Sequence, residues 1–258
     1  MGIYVNNGTT LTSNNSLFNI SNGAVGVYVD GGTANLGTTG NLTFNFLAGG
    51  GIGVYNNGGT LTLGNNITTT GSGSLAATVN GSLNSSGDLS IGEGGIGLLG
   101  SYDNGTISAQ NITNTGNITA ESGGIGLAAI KGVTNPTGTI TINNAGTITA
   151  SGKSSAASIG SYTDIAEINN TGTVNVGTDG IGIYTADSGK TVKNVNIIMT
   201  GNGGIGGDVK GATGGLSAIN ITSTGGKGNT GVVLEGVTAN IHTGTITVDN
   251  ERVGVMAA

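Results

Sequence analysis

The 258-residue chain contains 54 glycines, one proline, no cysteine and no tryptophan, and only 8% of its residues are charged. The lack of cysteine excludes disulfides, thiolate metal sites and cysteine nucleophiles, and the scarcity of proline excludes a collagen helix. The net charge is -6, and the seven basic residues are scattered after Ile130 rather than clustered, which argues against nucleic acid as a partner.

Along the chain, a short apolar segment centred on one small residue recurs. Examples are Val25-Gly26-Val27-Tyr28 and Ile52-Gly53-Val54-Tyr55. The small residue in each copy is Gly2, Gly26, Gly53, Ala76, Gly97, Gly126, Ser158, Gly182, Gly206, Gly231 and Gly254. The ten intervals between these residues average about 25 positions. A fixed period of this size is the signature of a repeat architecture.

Between these copies lie segments that alternate apolar and polar residues, at residues 139–142, 146–149 and 172–176 among others. Alternation with a period of two indicates β-strands, and Asn-Gly, Asp-Gly and Gly-Gly pairs indicate turns. The sequence therefore predicts an all-β parallel β-helix of about ten coils of roughly 25 residues, forming one solenoid over residues 1–258. A β-sandwich or a propeller fits less well, since propeller blades repeat at about 40–50 residues.

Alternation also predicts which side chains face the core. In residues 52–55 we expect Ile52 and Val54 to point inward, and Gly53 and Tyr55 to point outward. Three consecutive coils then place Tyr4, Tyr28 and Tyr55 in one outward column, and Tyr184 occupies the same position later. Such a strip either binds a sugar or a protein surface or stabilises the sheet by stacking. We favour stacking. Asparagines at the turns are expected to stack into ladders.

No group of residues predicts catalysis, a cofactor or a metal. Residues 95–100 match G-x-G-x-x-G, but no helical pattern follows, as a dinucleotide site requires. Residues 203–208 match the start of a calcium-binding nonapeptide without a tandem copy, and we expect a solvated turn there. The single histidine, His242, is expected on an exposed strand.

The carboxylate pairs considered for glycosidase chemistry are Asp164 with Glu167, Asp179 with Asp187, and Asp249 with Glu251. None of these pairs recurs in the next coil, so we expect these acids to aid solubility and we expect no enzyme.

The two longest intervals between the small residues that mark the repeat point to loop excursions around residues 131–136 and 153–162.

The coil pattern of residues 124–127 followed by residues 138–150 resembles the passenger repeats of large type V autotransporters, most closely those of fusobacterial outer-membrane adhesins. The resemblance covers the whole chain. It implies a right-handed β-helix displayed on the surface of a Gram-negative cell. It also implies a longer protein, of which this is a fragment, with a signal peptide upstream and a membrane β-barrel downstream.

The function expected from this resemblance is adhesion by an elongated rod. The expected partner is a host cell-surface glycan or protein receptor, or another bacterium. Two alternatives stay open: a purely structural stalk, and a carbohydrate-active β-helix enzyme.

Overall fold

The structure is a computed structural model. It describes residues 1–101, 110–131, 139–153, 157–186, 191–211, 215–236, 240–242, 244–248 and 253–257. The elements in these segments are 29 β-strands, numbered here in chain order, and there is no α-helix among them. Every pairing between the strands is parallel, and each strand pairs with its counterparts in the coils before and after it. The predicted parallel β-solenoid is confirmed.

Each coil places strands on three faces. The strands that begin on the first face are β1 (Ile3–Asn6), β4 (Ala24–Asp30), β7 (Gly51–Leu63), β9 (Ser74–Ser85), β11 (Ile96–Ser101), β14 (Ile125–Ile130), β17 (Ile159–Thr163), β20 (Ile181–Ala186), β23 (Ile205–Lys210), β26 (Thr230–Glu235) and β29 (Val253–Ala257). The strands β7 and β9 continue onto the second face and join the two faces into one sheet of 19 strands.

The other strands of the second face are β2 (Thr10–Ser13), β5 (Thr33–Leu36), β12 (Gln110–Asn114), β15 (Ile140–Asn144), β18 (Glu167–Asn170), β21 (Thr191–Lys193), β24 (Gly215–Ser217) and β27 (Asn240–His242). The third face is a separate sheet of ten strands. Its strands are β3 (Ser16–Ile20), β6 (Leu42–Phe46), β8 (Ile67–Thr70), β10 (Leu89–Ile91), β13 (Ile118–Ala120), β16 (Ile148–Ala150), β19 (Thr173–Val176), β22 (Asn196–Met199), β25 (Asn220–Ser223) and β28 (Ile246–Thr247).

The core is a narrow apolar column between the three faces. In one coil Val54 of the first face, Leu61 of the second and Ile67 of the third are all fully buried. Branched aliphatic residues suit this position because they favour extended backbone and pack well on a pleated surface. Each fully buried side chain of this kind contributes about 1.5–3 kcal/mol, so the coils hold together through a core that no single coil could form.

The first-face glycine breaks the expected alternation. Gly53 and Val54 are both buried, whereas Ile52 is half-buried, so the prediction that Ile52 points inward and Gly53 outward is wrong. A Cβ at Gly53 would lie 3.0 Å from Cδ1 of Phe44 in the core and 2.6 Å from the carbonyl oxygen of Leu75. Only a residue without a side chain fits there, and two consecutive residues can then face the core.

The pairing of neighbouring strands also shows that two of the small residues predicted to mark the repeat are not at the equivalent position. The pairs of Ile52 with Ser74 and of Ile125 with Ile159 make Leu75 the equivalent of Gly53, and Gly160 the equivalent of Gly126. The sequence alignment had placed Ala76 and Ser158 at these positions. The second error arose because the coil after Gly126 is the longest of the ten.

Of the loop excursion predicted at residues 131–136, residues 132–136 lie outside the described part of the chain, as do residues 154–156 of the excursion predicted at residues 153–162. Within residues 153–162, the described strand β17 begins at Ile159, so the end of that stretch continues the first face rather than forming a loop.

A row of buried asparagines joins three coils at the end of the second face. The Nδ2 of Asn114 donates to Oδ1 of Asn144 at 2.6 Å, and the Nδ2 of Asn144 donates to Oδ1 of Asn170. Each amide also donates to a glycine carbonyl two residues later, at 2.8, 2.9 and 3.0 Å along the row. This amide ladder confirms the prediction that turn asparagines stack between coils.

Candidate interaction surface

The tyrosines predicted from the repeat stack on the outer side of the first face. The ring centroids of Tyr4 and Tyr28 lie 5.7 Å apart and those of Tyr28 and Tyr55 lie 5.1 Å apart, with interplanar angles of 17° and 22°. Parallel pairing puts these side chains opposite one another. The predicted aromatic strip is therefore present, and we call it the N-terminal tyrosine ladder.

A polar row runs beside this ladder and begins two residues after Tyr28 and Tyr55, at Asp30 and Asn57. The hydroxyl of Tyr4 donates to Oδ2 of Asp30 at 2.6 Å, and the Nδ2 of Asn57 donates to Oδ1 of the same carboxylate at 3.1 Å. Asn80 continues the row by donating to Oδ1 of Asn57 at 3.1 Å. The hydrogen bond to Asp30 raises the pKa of the Tyr4 hydroxyl above its ordinary value. The row is joined to the ladder through the hydroxyl of Tyr4.

Stacking along the solenoid limits what the ladder can bind. A sugar ring that packs on a tyrosine needs the flat face of the aromatic ring, and both faces of Tyr28 are covered by Tyr4 and Tyr55. Tyr28 therefore offers only its ring edge and hydroxyl group to a partner, and Tyr4 and Tyr55 each have one ring face outside the stack. This geometry favours the stacking interpretation, and a binding role for Tyr4, Tyr28 and Tyr55 stays a prediction.

A second tyrosine ladder occupies the same column in later coils. Tyr162 pairs in register with Tyr184, and their rings lie 5.3 Å apart at 7°. The Nζ of Lys210 lies 5.6 Å from the centroid of Tyr184 and 2.8 Å from Oε2 of Glu235. Tyr162 does not follow from the sequence repeat, because a coil that is aligned on Ser158 has Gly160 at the tyrosine position. Counting back one short coil from Tyr184 would have found it.

Asp208 follows Tyr184 in this column and is buried. It lies in β23 and pairs in register with Tyr184 on one side and Val233 on the other, with 5% of its surface exposed. Its Oδ1 accepts no hydrogen bond. Burial raises the pKa of the Asp208 carboxyl; Lys210 opposes the increase and Glu235 adds to it. The expectation of a solvated turn at residues 203–208 holds for the exposed Gly203 and is wrong for residues 205–208, which belong to β23.

A groove of about 380 Å³ with both apolar and polar lining lies on the second face. Its lining includes a row of outward amides, in which Asn194 donates to Asn169 at 2.7 Å and Asn169 donates to Asn143 at 3.4 Å. Beside the row, the Nζ of Lys193 lies 2.6 Å from Oε1 of Glu167. The groove therefore offers amide groups and one neutralised ion pair, and its lining contains no aromatic residue.

Of the candidate acid pairs, only Asp164 with Glu167 has both members among the described residues, and each of these two carboxylates has another partner. Asp164 accepts from the backbone nitrogen of Lys131 at 2.8 Å and is half-buried, which raises its pKa, while Glu167 is engaged by Lys193. Asp179 lies at a turn with a positive φ of 51°. Asp187, Asp249 and Glu251 lie outside the described residues. Within the part of the chain that the structure describes, no three His, Asp or Glu residues come together as a metal site would require.

The other motifs have structural roles. Residues 95–100 lead into β11, a strand, where a dinucleotide site would need a helix. His242 ends β27, as expected for a strand residue, although its side chain lies outside the described part of the structure. Among the described residues there is no helix with the length and apolar content needed to cross a bilayer.

In comparisons with known proteins, no family model, no curated protein and no solved structure matches the chain.

Proposed function

We propose that the chain is a segment of a right-handed, elongated passenger on the surface of a Gram-negative cell, acting in adhesion to host cells or to other bacteria. The observation that supports this most is the uniform stack of parallel coils. Its ten third-face strands, at about 4.8 Å per coil, amount to a rod on the order of 50 Å long. A rod of this kind holds a contact surface away from the cell body.

The partner we propose is a cell-surface glycan or a protein receptor. Uncharged amides and hydroxyls dominate the outward second face, and the one ion pair in its groove, Glu167 with Lys193, is internally neutralised. Such a surface suits a ligand that is recognised through hydrogen bonds more than through net charge. We propose no catalytic residue.

The test is saturable binding of the purified 258-residue chain to cells and to glycan arrays. Its fold is first checked by a β-type circular dichroism spectrum. Substituting the groove residues Asn169 and Asn143 with alanine is expected to weaken binding, and the same substitution at Asn84, on the same face but outside the groove, serves as the control.

A folded chain that binds nothing in these assays would favour the structural stalk. Turnover of polygalacturonate or a similar polymer would favour the carbohydrate-active enzyme and would contradict the proposal.

A further inference from the structure

Sequence motifs for N-linked sugars are distributed very unevenly along the chain. The tripeptide Asn-x-Ser/Thr, with x not proline, is the acceptor for sugar transfer to asparagine. It occurs twelve times, and ten copies lie in residues 1–130. The acceptor asparagines are Asn7, Asn14, Asn19, Asn41, Asn66, Asn80, Asn84, Asn104, Asn111, Asn117, Asn169 and Asn220. Asparagine itself is more even, with 19 residues in the first 130 and 13 in the rest.

None of the described acceptor asparagines is buried. Asn104 lies outside the described residues, and each of the other eleven acceptor asparagines is exposed or half-buried. Among the residues whose burial is described, the buried asparagines are Asn56, Asn114, Asn144, Asn170 and Asn229, and none of them begins such a motif. A sugar on any described acceptor would therefore project from the solenoid without entering its core.

Strand geometry explains how the motif is presented. In an extended strand, residues i and i+2 point to the same side. Asn66 and Thr68 are both exposed on either side of the buried Ile67, and the same pattern holds at residues 117–119. The amide that would take the sugar and the hydroxyl that completes the motif thus share one accessible surface.

Alternation alone would produce some of these motifs, but it does not explain why they concentrate in one half. That half is also the one with few charges: residues 1–130 hold five of the 20 charged residues and no Lys or Arg. Exposed β-sheet with little charge is prone to association. Bulky hydrophilic sugars would protect it as charges protect the other half.

We propose that the exposed acceptor asparagines of residues 1–130 carry N-linked sugars. A separate glycosyltransferase would form the bond between Nδ2 and C1 of a phosphate-activated sugar. The C1–O bond to the phosphate breaks, and the proton lost by the amide passes to a base of the enzyme or to the released phosphate. No oxidation or reduction is involved.

Mass spectrometry of the protein isolated from the cells that naturally make it tests the proposal. Hexose or N-acetylhexosamine increments are expected on peptides that contain the exposed motifs, such as those with Asn66 and Asn117. Peptides with the buried Asn114 and Asn144 should carry none. Full coverage of these peptides without any increment would overturn the proposal.

Variants locate the modification in the same host. Asn66→Gln and Thr68→Ala should each remove the increment at this position, whereas Asn65→Gln, at an exposed neighbour outside any motif, should keep it. An increment that survives Thr68→Ala would show chemistry other than motif-directed transfer and would also overturn the proposal. The proposed function is judged by saturable binding and the modification by peptide mass, so the two proposals fail independently.

Discussion

Residues 1–101 and residues 110–257 form the same three-faced coil, yet the side chains that connect neighbouring coils differ between them. In the first region Tyr4, Tyr28 and Tyr55 stack outside, and the rings of Phe18 and Phe44 stack 4.9 Å apart on the third face. In the described part of the second region, neighbouring coils are connected instead by a buried amide ladder, two ion pairs and one tyrosine pair. The aliphatic core is common to both regions and determines the shape of the coil, whereas the types of side chain stacked around it differ between them.

This difference has an energetic consequence. Stacked rings respond little to pH or salt, whereas buried amides are intolerant of a lost partner and ion pairs are screened by salt. The two regions should therefore respond differently to the same perturbation. Because coils of a solenoid interact mainly with their neighbours, a substitution should act on its own region.

The largest effect is expected in the amide ladder. Asn144→Ala would remove the acceptor of Asn114, the donor to Asn170 and the donor to the carbonyl of Gly146. An unsatisfied buried polar group costs about 1–3 kcal/mol, so we expect a loss of about 3 kcal/mol in the free energy of unfolding, measured by urea titration. Asn143→Ala, at the half-buried neighbour, should cost less than about 1 kcal/mol. Equal losses for the two variants would contradict a special role for the ladder.

The next effect is expected in the N-terminal tyrosine ladder. Tyr28→Ala removes two stacked contacts, each contributing about 0.5–1.5 kcal/mol, so the unfolding free energy should fall by about 2 kcal/mol. Tyr28→Phe keeps both rings in contact and should change stability by less than about 0.5 kcal/mol. If the alanine variant is as stable as the wild type while it loses binding to cells or glycans, the ladder is a binding surface and our preference for stacking is wrong.

These contrasts show which parts of the structure the sequence could predict. The period of about 25 residues and the alternation in residues 139–149 were sufficient for the parallel solenoid, because a regular stack repeats its constraints in every coil. The column of Tyr4, Tyr28 and Tyr55 followed from the same period.

Local departures from regularity were not predictable in this way. The inward glycine depends on Phe44 of another face, a contact that alternation along one strand does not contain. Tyr162 was missed because the long coil before it shifted the alignment. The burial of Asp208 depends on its neighbours in the coils before and after, Tyr184 and Val233.

A smaller effect, with a pH dependence, is expected at Asp208. Burial raises its pKa in the folded chain, so the folded state holds the proton more tightly than the unfolded state. Stability is then greatest below the ordinary value of 3.8 and falls as the pH rises through the raised value. Asp208→Val, matching Val233 of the next coil, should gain about 1–2 kcal/mol at neutral pH and less at pH 3, where the carboxyl is protonated.

Thermal unfolding of both proteins between pH 3 and pH 8 measures this difference. Glu121→Gln, at an exposed carboxylate in another coil, is the control and should show no such gain. A valine variant that is less stable than the wild type at neutral pH would mean that the Asp208 carboxylate has a favourable partner.

The smallest effect is expected for the exposed ion pair of Lys210 and Glu235, because both side chains are about two-fifths exposed, at 39% and 42%. Pairs of this kind contribute about 0.2–1 kcal/mol, and Lys210 has the additional contact with the ring of Tyr184. A double-mutant cycle of Lys210→Met and Glu235→Gln should give a coupling energy in that range at low salt. At 1 M salt, where the screening length falls to about 3 Å, the coupling should shrink.

The same cycle in the Tyr184→Leu background separates the ring contact from the ion pair. If the coupling persists at high salt and disappears in the Tyr184→Leu background, the contact with the aromatic ring and not the ion pair connects these coils. Both tyrosine ladders would then connect coils through aromatic contact, and the two regions would differ only in the amide ladder.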